Sequence, residues 1–182
     1  MQKILDSPKN DGVLELIACR PKAGERETLE TAELHLAEGV VGDNWKMRGA
    51  ADKTANPDMQ VTVMNSRVIA LLADDKAHWP LAGDQLYVDF DLSIENLPPG
   101  SKVGIGSAIL QISPQPHTGC KKFLARFGQD ALEFVNSAIG KQLRLRGLNA
   151  RIVQPGIIRV GDKVRKLTSE KNTQMPNDEI LK

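Results

Sequence analysis

Ala150-Arg151-Ile152-Val153-Gln154-Pro155-Gly156-Ile157-Ile158-Arg159-Val160-Gly161-Asp162-Lys163-Val164 carries short apolar and β-branched runs broken at Pro155-Gly156 and again at Gly161-Asp162. Strands this short, punctuated by proline and glycine, suit a sheet that bends sharply and closes on itself. A doubly wound sheet would need helices between its strands instead. Just upstream, Gln142-Leu143-Arg144-Leu145-Arg146 alternates polar and apolar residues and reads as one more short strand.

The same pattern extends toward the N-terminus. Val13 to Cys19, Gln60 to Met64, Gln85 to Phe90, Lys102 to Gly106 and Ala108 to Ser113 each read as a strand. Asn96-Leu97-Pro98-Pro99-Gly100 must turn, because consecutive prolines cannot continue a ladder. Helical spacing appears in two places. Asn65 or Ser66 caps a helix carrying Val68, Ile69, Leu71 and Leu72. After Cys120, Phe123, Leu124 and Phe127 share a face until Gly128 interrupts; Asp130 with Glu133 resembles a capping box opening a second helix through Ala138, and Gly140 stops it. The acidic stretch 28–38 leads into the turn Gly42-Asp43, residues 46–59 read as a mobile loop, and Thr168 onward as a frayed tail. The expectation is a mostly β (α+β) fold, a closed and strongly bent β-barrel with peripheral helices. Residues 1–12 form an N-terminal extension, 13–166 the domain and 167–182 a polar tail.

With 41% hydrophobic and 26% charged residues, the 182-residue chain has the composition of one globular domain. No apolar run reaches the roughly 20 residues of a membrane-spanning helix, and Met1 to Lys9 lacks the apolar core of a secretory signal, so no membrane partner and a cytoplasmic location are expected. Cys19 and Cys120 form neither a disulfide framework nor a CxxC pattern, and His35, His78 and His117 are too scattered for zinc. The net charge of +1 hides an asymmetry. Residues 1–119 hold 11 Lys and Arg against 17 Asp and Glu, whereas residues 121–166 hold 11 against 3. A basic block therefore starts directly after Cys120, which points to an anion held near that thiol. With aromatic residues at 4% of the chain, few stacking partners accompany the arginines, which argues against nucleic acid.

Cys120 is the chemical centre of this reading. It follows Pro116-His117-Thr118-Gly119 and precedes the first turn of a helix, where free N–H groups stabilise a thiolate, and Lys121 and Lys122 add positive charge. Cys19, in an apolar strand, reads as a small buried hydrophobe. His117 either moves a proton near the thiol or bonds the loop backbone. Arg126, Arg144, Arg146 and Arg151 either bind phosphate or lie solvated on exposed faces. Asn96 first of all reads as a turn-holding side chain.

Taken in order, Gly39-Val40-Val41-Gly42-Asp43, Glu95-Asn96-Leu97, Pro116-His117-Thr118-Gly119-Cys120 and Gly156-Ile157-Ile158-Arg159-Val160-Gly161-Asp162 resemble the MOSC domain, found at the C-terminus of molybdenum cofactor sulfurases and in stand-alone bacterial proteins. The resemblance spans roughly residues 13 to 166. It implies a bent barrel in which Cys120 carries sulfur as a persulfide or ligates the molybdenum of a pterin cofactor. Sulfur transfer or molybdenum-dependent reduction of N-hydroxylated compounds would follow. Cys120 and His117 are then the catalytic candidates, Cys120 also the metal ligand, and Lys121, Lys122, Arg126, Arg144, Arg146 and Asn96 the candidates for holding molybdopterin. Pyridoxal phosphate would enter only through a separate cysteine desulfurase partner. Gly42-Asp43-Asn44-Trp45 and His117-Thr118-Gly119-Cys120 depart from the family's Gly-Asp-Arg-His and Pro-x-x-Pro-Cys patterns. The alternative reading is a non-catalytic barrel that binds an anionic small molecule.

Overall fold

The β-branched runs pair into one continuous wall. The computed structural model describes residues 1–48 and 55–167. Its first half contains α1 (Gln2–Leu5), β1 (Asp11–Cys19), β2 (Glu27–Leu29), β3 (Thr31–His35), β4 (Gly39–Val40), β5 (Val61–Asn65), α2 (Ser66–Leu72) and β6 (Leu86–Asp89). Its second half contains β7 (Lys102–Ile105), β8 (Ala108–Ile112), α3 (Lys121–Asn136), α4 (Ala138–Gln142), β9 (Leu148–Gln154), β10 (Gly156–Arg159) and β11 (Lys163–Leu167). The order β1-β6-β5-β9-β8-β7-β11 returns to β1 through the antiparallel register Asp11↔Arg165, Gly12↔Val164 and Val13↔Lys163. Seven strands thus close a barrel and pair what would otherwise be its open edges. Only β5 and β6 in this ring run parallel. Their crossover passes through α2 and a 3-10 helix at Lys76–Ala82, which places that segment outside the wall.

Alternation along each strand divides the apolar residues between two cores. Leu86 and Val88 of β6 face the barrel interior with Leu14, Val63, Leu110, Ile152 and Val164. Tyr87, between them, faces outward with Met64, Trp79, Phe123 and Val135, joining the helices to the wall. Ile4 of α1 packs in this outer core. β1 keeps β6 along one edge, with a bulge between Leu14 and Leu16, and pairs with β11 and then β2 along the other. A second, three-stranded sheet, β10-β3-β4, uses part of the acidic stretch. Among the described residues no helix is long and apolar enough to cross a membrane.

The strands expected around 13–19, 60–64, 85–90, 102–113 and 150–164 are present, and so is the helix capped by Asn65, whose side chain accepts from Arg67 N. The region 142–146 is different. It completes α4 and then turns, with Arg144 at φ 48°, because Leu145 is drawn into the outer core and the Arg144 guanidinium donates to Leu92 O and Leu97 O. Five alternating residues cannot distinguish that turn from a strand. Nor does Gly140 stop a helix. Asn136 ends α3, Ser137 caps α4 through Gly140 N, and Gly140 sits inside α4, where a Cβ would lie 2.5 Å from Phe134 O. Gly128 does interrupt α3, at φ 84°, as the broken spacing implies. Gln129, rather than Asp130, bonds Glu133. Of the expected loop 46–59, the ends form 3-10 turns at Trp45–Arg48 and Pro57–Met59, while 49–54 and the tail 168–182 lie outside the described residues.

Candidate anion and thiol site

Cys120 is the N-cap of α3, in extended conformation, and its carbonyl accepts the first helical bond from Leu124 N. Two asparagines fix the loop leading to it. Asn136 clamps Gly119, accepting from its N–H at 2.8 Å and donating to its carbonyl at 3.1 Å. Asn149, fully buried at the start of β9, donates to Gln115 O and Pro116 O. The thiol is therefore held at an exposed helix N-terminus. Partial burial pushes it up, but the N–H groups of Phe123 and Lys122 and the charges of Arg146 and Lys122 prevail, leaving Cys120 below the ordinary cysteine value. Cys19 is the opposite case, raised by burial and by the Asp43 and Glu27 carboxylates.

A cleft of about 440 Å³ opens at Cys120. Arg20, Arg26, Lys122, Arg126 and Arg146 line it, together with His117, Asn149 and Phe123. Two aspartates neutralise two of the arginines. Arg20, at the end of β1, makes a fork with Asp43 at 2.8 and 2.9 Å and donates to Gly83 O. Arg146 donates to Asp84 at 2.6 Å and to Ala82 O, and its guanidinium stacks 4.9 Å from the Phe123 ring. Asp84, fully buried, also accepts from His117 Nε2 at 2.8 Å. Burial alone would raise its pKa, yet Arg146 and His117 hold it well below the usual carboxylate range. Among the described residues no carboxylate pairs with Arg26, Arg126 or Lys122. Arg26 and Arg126 approach the same glycine, Gly83. Burial and the nearby Arg126 and Arg20 charges push Arg26 below its ordinary value. Among the described residues, the Nε groups of Arg26 and Arg146 are buried without an acceptor. The cleft thus carries surplus positive charge that a bound anion would neutralise.

Cys120, His117, Lys122, Arg126 and Arg146 come together here as candidates read from the sequence. Lys121 is exposed and does not line the cleft. Arg144 and Asn96 also lie elsewhere. Arg144 holds the 92–97 turn, and Asn96 donates to Lys9 O and Asp91 O while accepting from Lys166. Arg151 bonds Gln111 on the barrel exterior. The sequence reading missed Arg20, Arg26, Asp84 and Asn149. One signal was present: the Gly-Asp pairs at 42–43 and 83–84 each put an aspartate behind a cleft arginine.

The two thiols should differ sharply in reactivity. At neutral pH iodoacetamide is expected to label Cys120 at least tenfold faster than Cys19, measured by peptide mass mapping over time. Equal rates would contradict the thiolate environment described for α3.

A closed seven-stranded barrel carries Cys120 at the start of α3, beside a cleft lined by arginines and Lys122. Residues 51–165 match the MOSC domain, and the chain is a member of that family. No curated protein sequence matches it. Among solved structures, the YUAD protein from Bacillus subtilis is similar at 18% identity and a TM-score of 0.59, over 85% of this chain and 94% of that one. YiiM from Escherichia coli is also 18% identical, with a TM-score of 0.56 over 86% and 70% of the two chains. YiiM from Geobacillus stearothermophilus is 16% identical, with a TM-score of 0.55 over 87% and 75%. At these identities the likeness is one of fold.

Proposed function

We propose that the cleft binds the molybdenum cofactor associated with the MOSC family, or receives sulfur on Cys120, with the surplus cations holding the anionic part of the ligand. One observation carries this reading: a thiol biased toward thiolate shares a cleft with three cations that no described carboxylate neutralises. The residues fit such a group. A thiolate suits a soft metal, guanidinium groups suit phosphate, and a cleft of about 440 Å³ is the size of a cofactor pocket. Among the described residues no cluster of three His, Cys, Asp or Glu could hold a metal, so Cys120 would be a lone protein ligand, with the pterin supplying the others. Bound molybdenum would supply two-electron redox chemistry. The chain's own residues bind and orient: Arg26, Arg126 and Lys122 neutralise the phosphate, while Asp43 and Asp84 keep Arg20 and Arg146 in place.

For sulfur carriage, the Cys120 thiolate would attack the terminal sulfur of a donor persulfide. A new S–S bond forms on Cys120, the donor S–S bond breaks and the donor leaves as its thiolate. A separate cysteine desulfurase, itself dependent on pyridoxal phosphate, is the kind of partner that presents such a persulfide. Metal analysis and intact mass of freshly purified protein test both branches, through bound molybdenum or one extra sulfur atom. The plain anion-binding barrel predicts neither.

Arg26→Ala and Arg126→Ala are each expected to weaken cofactor binding roughly tenfold to a hundredfold, the loss of one charge-assisted contact. Cys120 labelling should change little in Arg26→Ala, because the charges that lower this thiol most are those of Arg146 and Lys122. Titration with cofactor, followed by measurement of retained metal, checks the first expectation. Unchanged affinity in both variants would place the phosphate elsewhere.

A further inference from the structure

We propose that Asp84 is a positioning residue that fixes His117 as its Nε2–H tautomer, so that the ring offers an unprotonated Nδ1 to the cleft as its proton-accepting group. This inference does not depend on which ligand fills the cleft.

Asp84 joins the two elements of this arrangement. Its side chain is inaccessible to solvent, and each carboxylate oxygen has one principal partner, Arg146 Nη1 on Oδ2 and His117 Nε2 on Oδ1. A buried carboxylate beside a guanidinium stays ionised and can only accept hydrogen bonds. The hydrogen in the His117–Asp84 contact therefore sits on Nε2. Whether the ring also carries a proton on Nδ1 depends on every charge that faces it. Asp84 favours the charged ring, whereas Arg146 and Arg20 oppose it, and burial opposes it most. The balance falls on the neutral side, with His117 below the ordinary histidine value.

A neutral ring with hydrogen on Nε2 has a lone pair on Nδ1. Among the described residues that nitrogen takes part in no hydrogen bond, whereas Nε2 is committed to Asp84. The side chain remains 17% exposed and lines the cleft shared with Cys120. The loop cannot easily turn the ring away, since the carbonyls of Gln115 and Pro116 are tied to Asn149. A proton arriving at Nδ1 leaves its electron pair on the group that released it. The resulting imidazolium keeps Asp84 as its counter-ion, and Asp84 does not change protonation. Arg146 contributes indirectly, by keeping Asp84 ionised and so an acceptor.

The test uses the full chain labelled with ¹⁵N-histidine, which gives signals from His35, His78 and His117. His117→Gln identifies the His117 set, and two-bond ¹H–¹⁵N correlations report its tautomer. The native protein is expected to show the Nε2–H form at pH 7, and Asp84→Asn a mixture of tautomers. If Asp84→Asn does not fold, Asp84→Asn combined with Arg146→Gln, which removes the stranded charge, takes its place. Access to the cleft is read separately, by modifying Cys120 with iodoacetate or with iodoacetamide. The carboxymethyl group adds a negative charge and should raise the His117 titration by about half a unit relative to the neutral carbamidomethyl group. An Nδ1–H tautomer in the native protein, or one fixed tautomer in both native and Asp84-substituted protein, would overturn the role of Asp84. Identical His117 titration in the two adducts would show that Nδ1 does not face the cleft.

Discussion

Cys120→Ser is expected to leave the protein folded while stripping it of bound molybdenum or sulfane sulfur, to below about a tenth of the parent content. The fold should survive because Cys120 is exposed and supports no core contact, and because serine is among the best N-cap residues for the helix it would begin. The chemistry should not survive. A hydroxyl at this position is neither ionised at neutral pH nor a soft ligand, so the same N–H groups and cations would face a neutral oxygen. Metal content by plasma emission and intact mass, alongside melting by circular dichroism, separates the two effects. If Cys120→Ser retains cofactor as tightly as the parent, the thiol is incidental and the anion-binding barrel is the better account.

Asp84→Leu should be the most damaging substitution in the cleft, costing about 3–5 kcal/mol of stability. The loss comes from what remains behind. Arg146 is only 5% exposed, and without Asp84 its charge stays buried with no counter-ion. Pairing Asp84→Leu with Arg146→Met should recover much of the stability, because a hydrophobic pair of similar volume carries no desolvation penalty, although the cleft would lose a cation. The pH dependence has a definite sign. Asp84 titrates lower in the folded protein than in the unfolded chain, so its contribution is complete above about pH 4 and is lost as pH falls further. His117, depressed on folding, gives a loss of the same sign that begins as pH falls below about 6.5. Urea unfolding between pH 3 and 7 should therefore show a steeper acid limb for the parent than for the double variant. Parallel curves would mean that Asp84 is not the carboxylate holding this region together.

The barrel was legible because strand periodicity is local: Leu86, Val88 and Phe90 recur at every second position, and the structure puts all three in the barrel interior and Tyr87 in the outer core. The 142–146 turn was not, since its shape depends on Leu92 and Leu97 carbonyls some fifty residues away. The site divides in the same way. Cys120, Lys122 and Arg126 share one helix with the signal that marks them, so a linear reading finds them. Arg20, Arg26 and Asp84 reach the cleft only through the pairing of β1 with β2 and β6, and apart from the Gly-Asp pairs no local pattern distinguishes them from surface charges. Arg144 and Asn96 show the converse, because a guanidinium or carboxamide that holds backbone carbonyls has the same letters as one that binds a ligand.

The β1–β11 seam links Asp11 to Arg165, 154 positions apart. At about 5–20 residues per second of synthesis, roughly 8 to 30 s separate the emergence of these two strands from a ribosome. Throughout that interval β1 lacks one neighbour, and the barrel cannot complete its ring. The cleft shares the delay, since its walls run from Arg20 to Asn149 and no shorter nascent segment contains them all. Any ligand of the cleft would therefore be bound after folding rather than guide its early steps, and the nascent chain has to protect its open edge unaided.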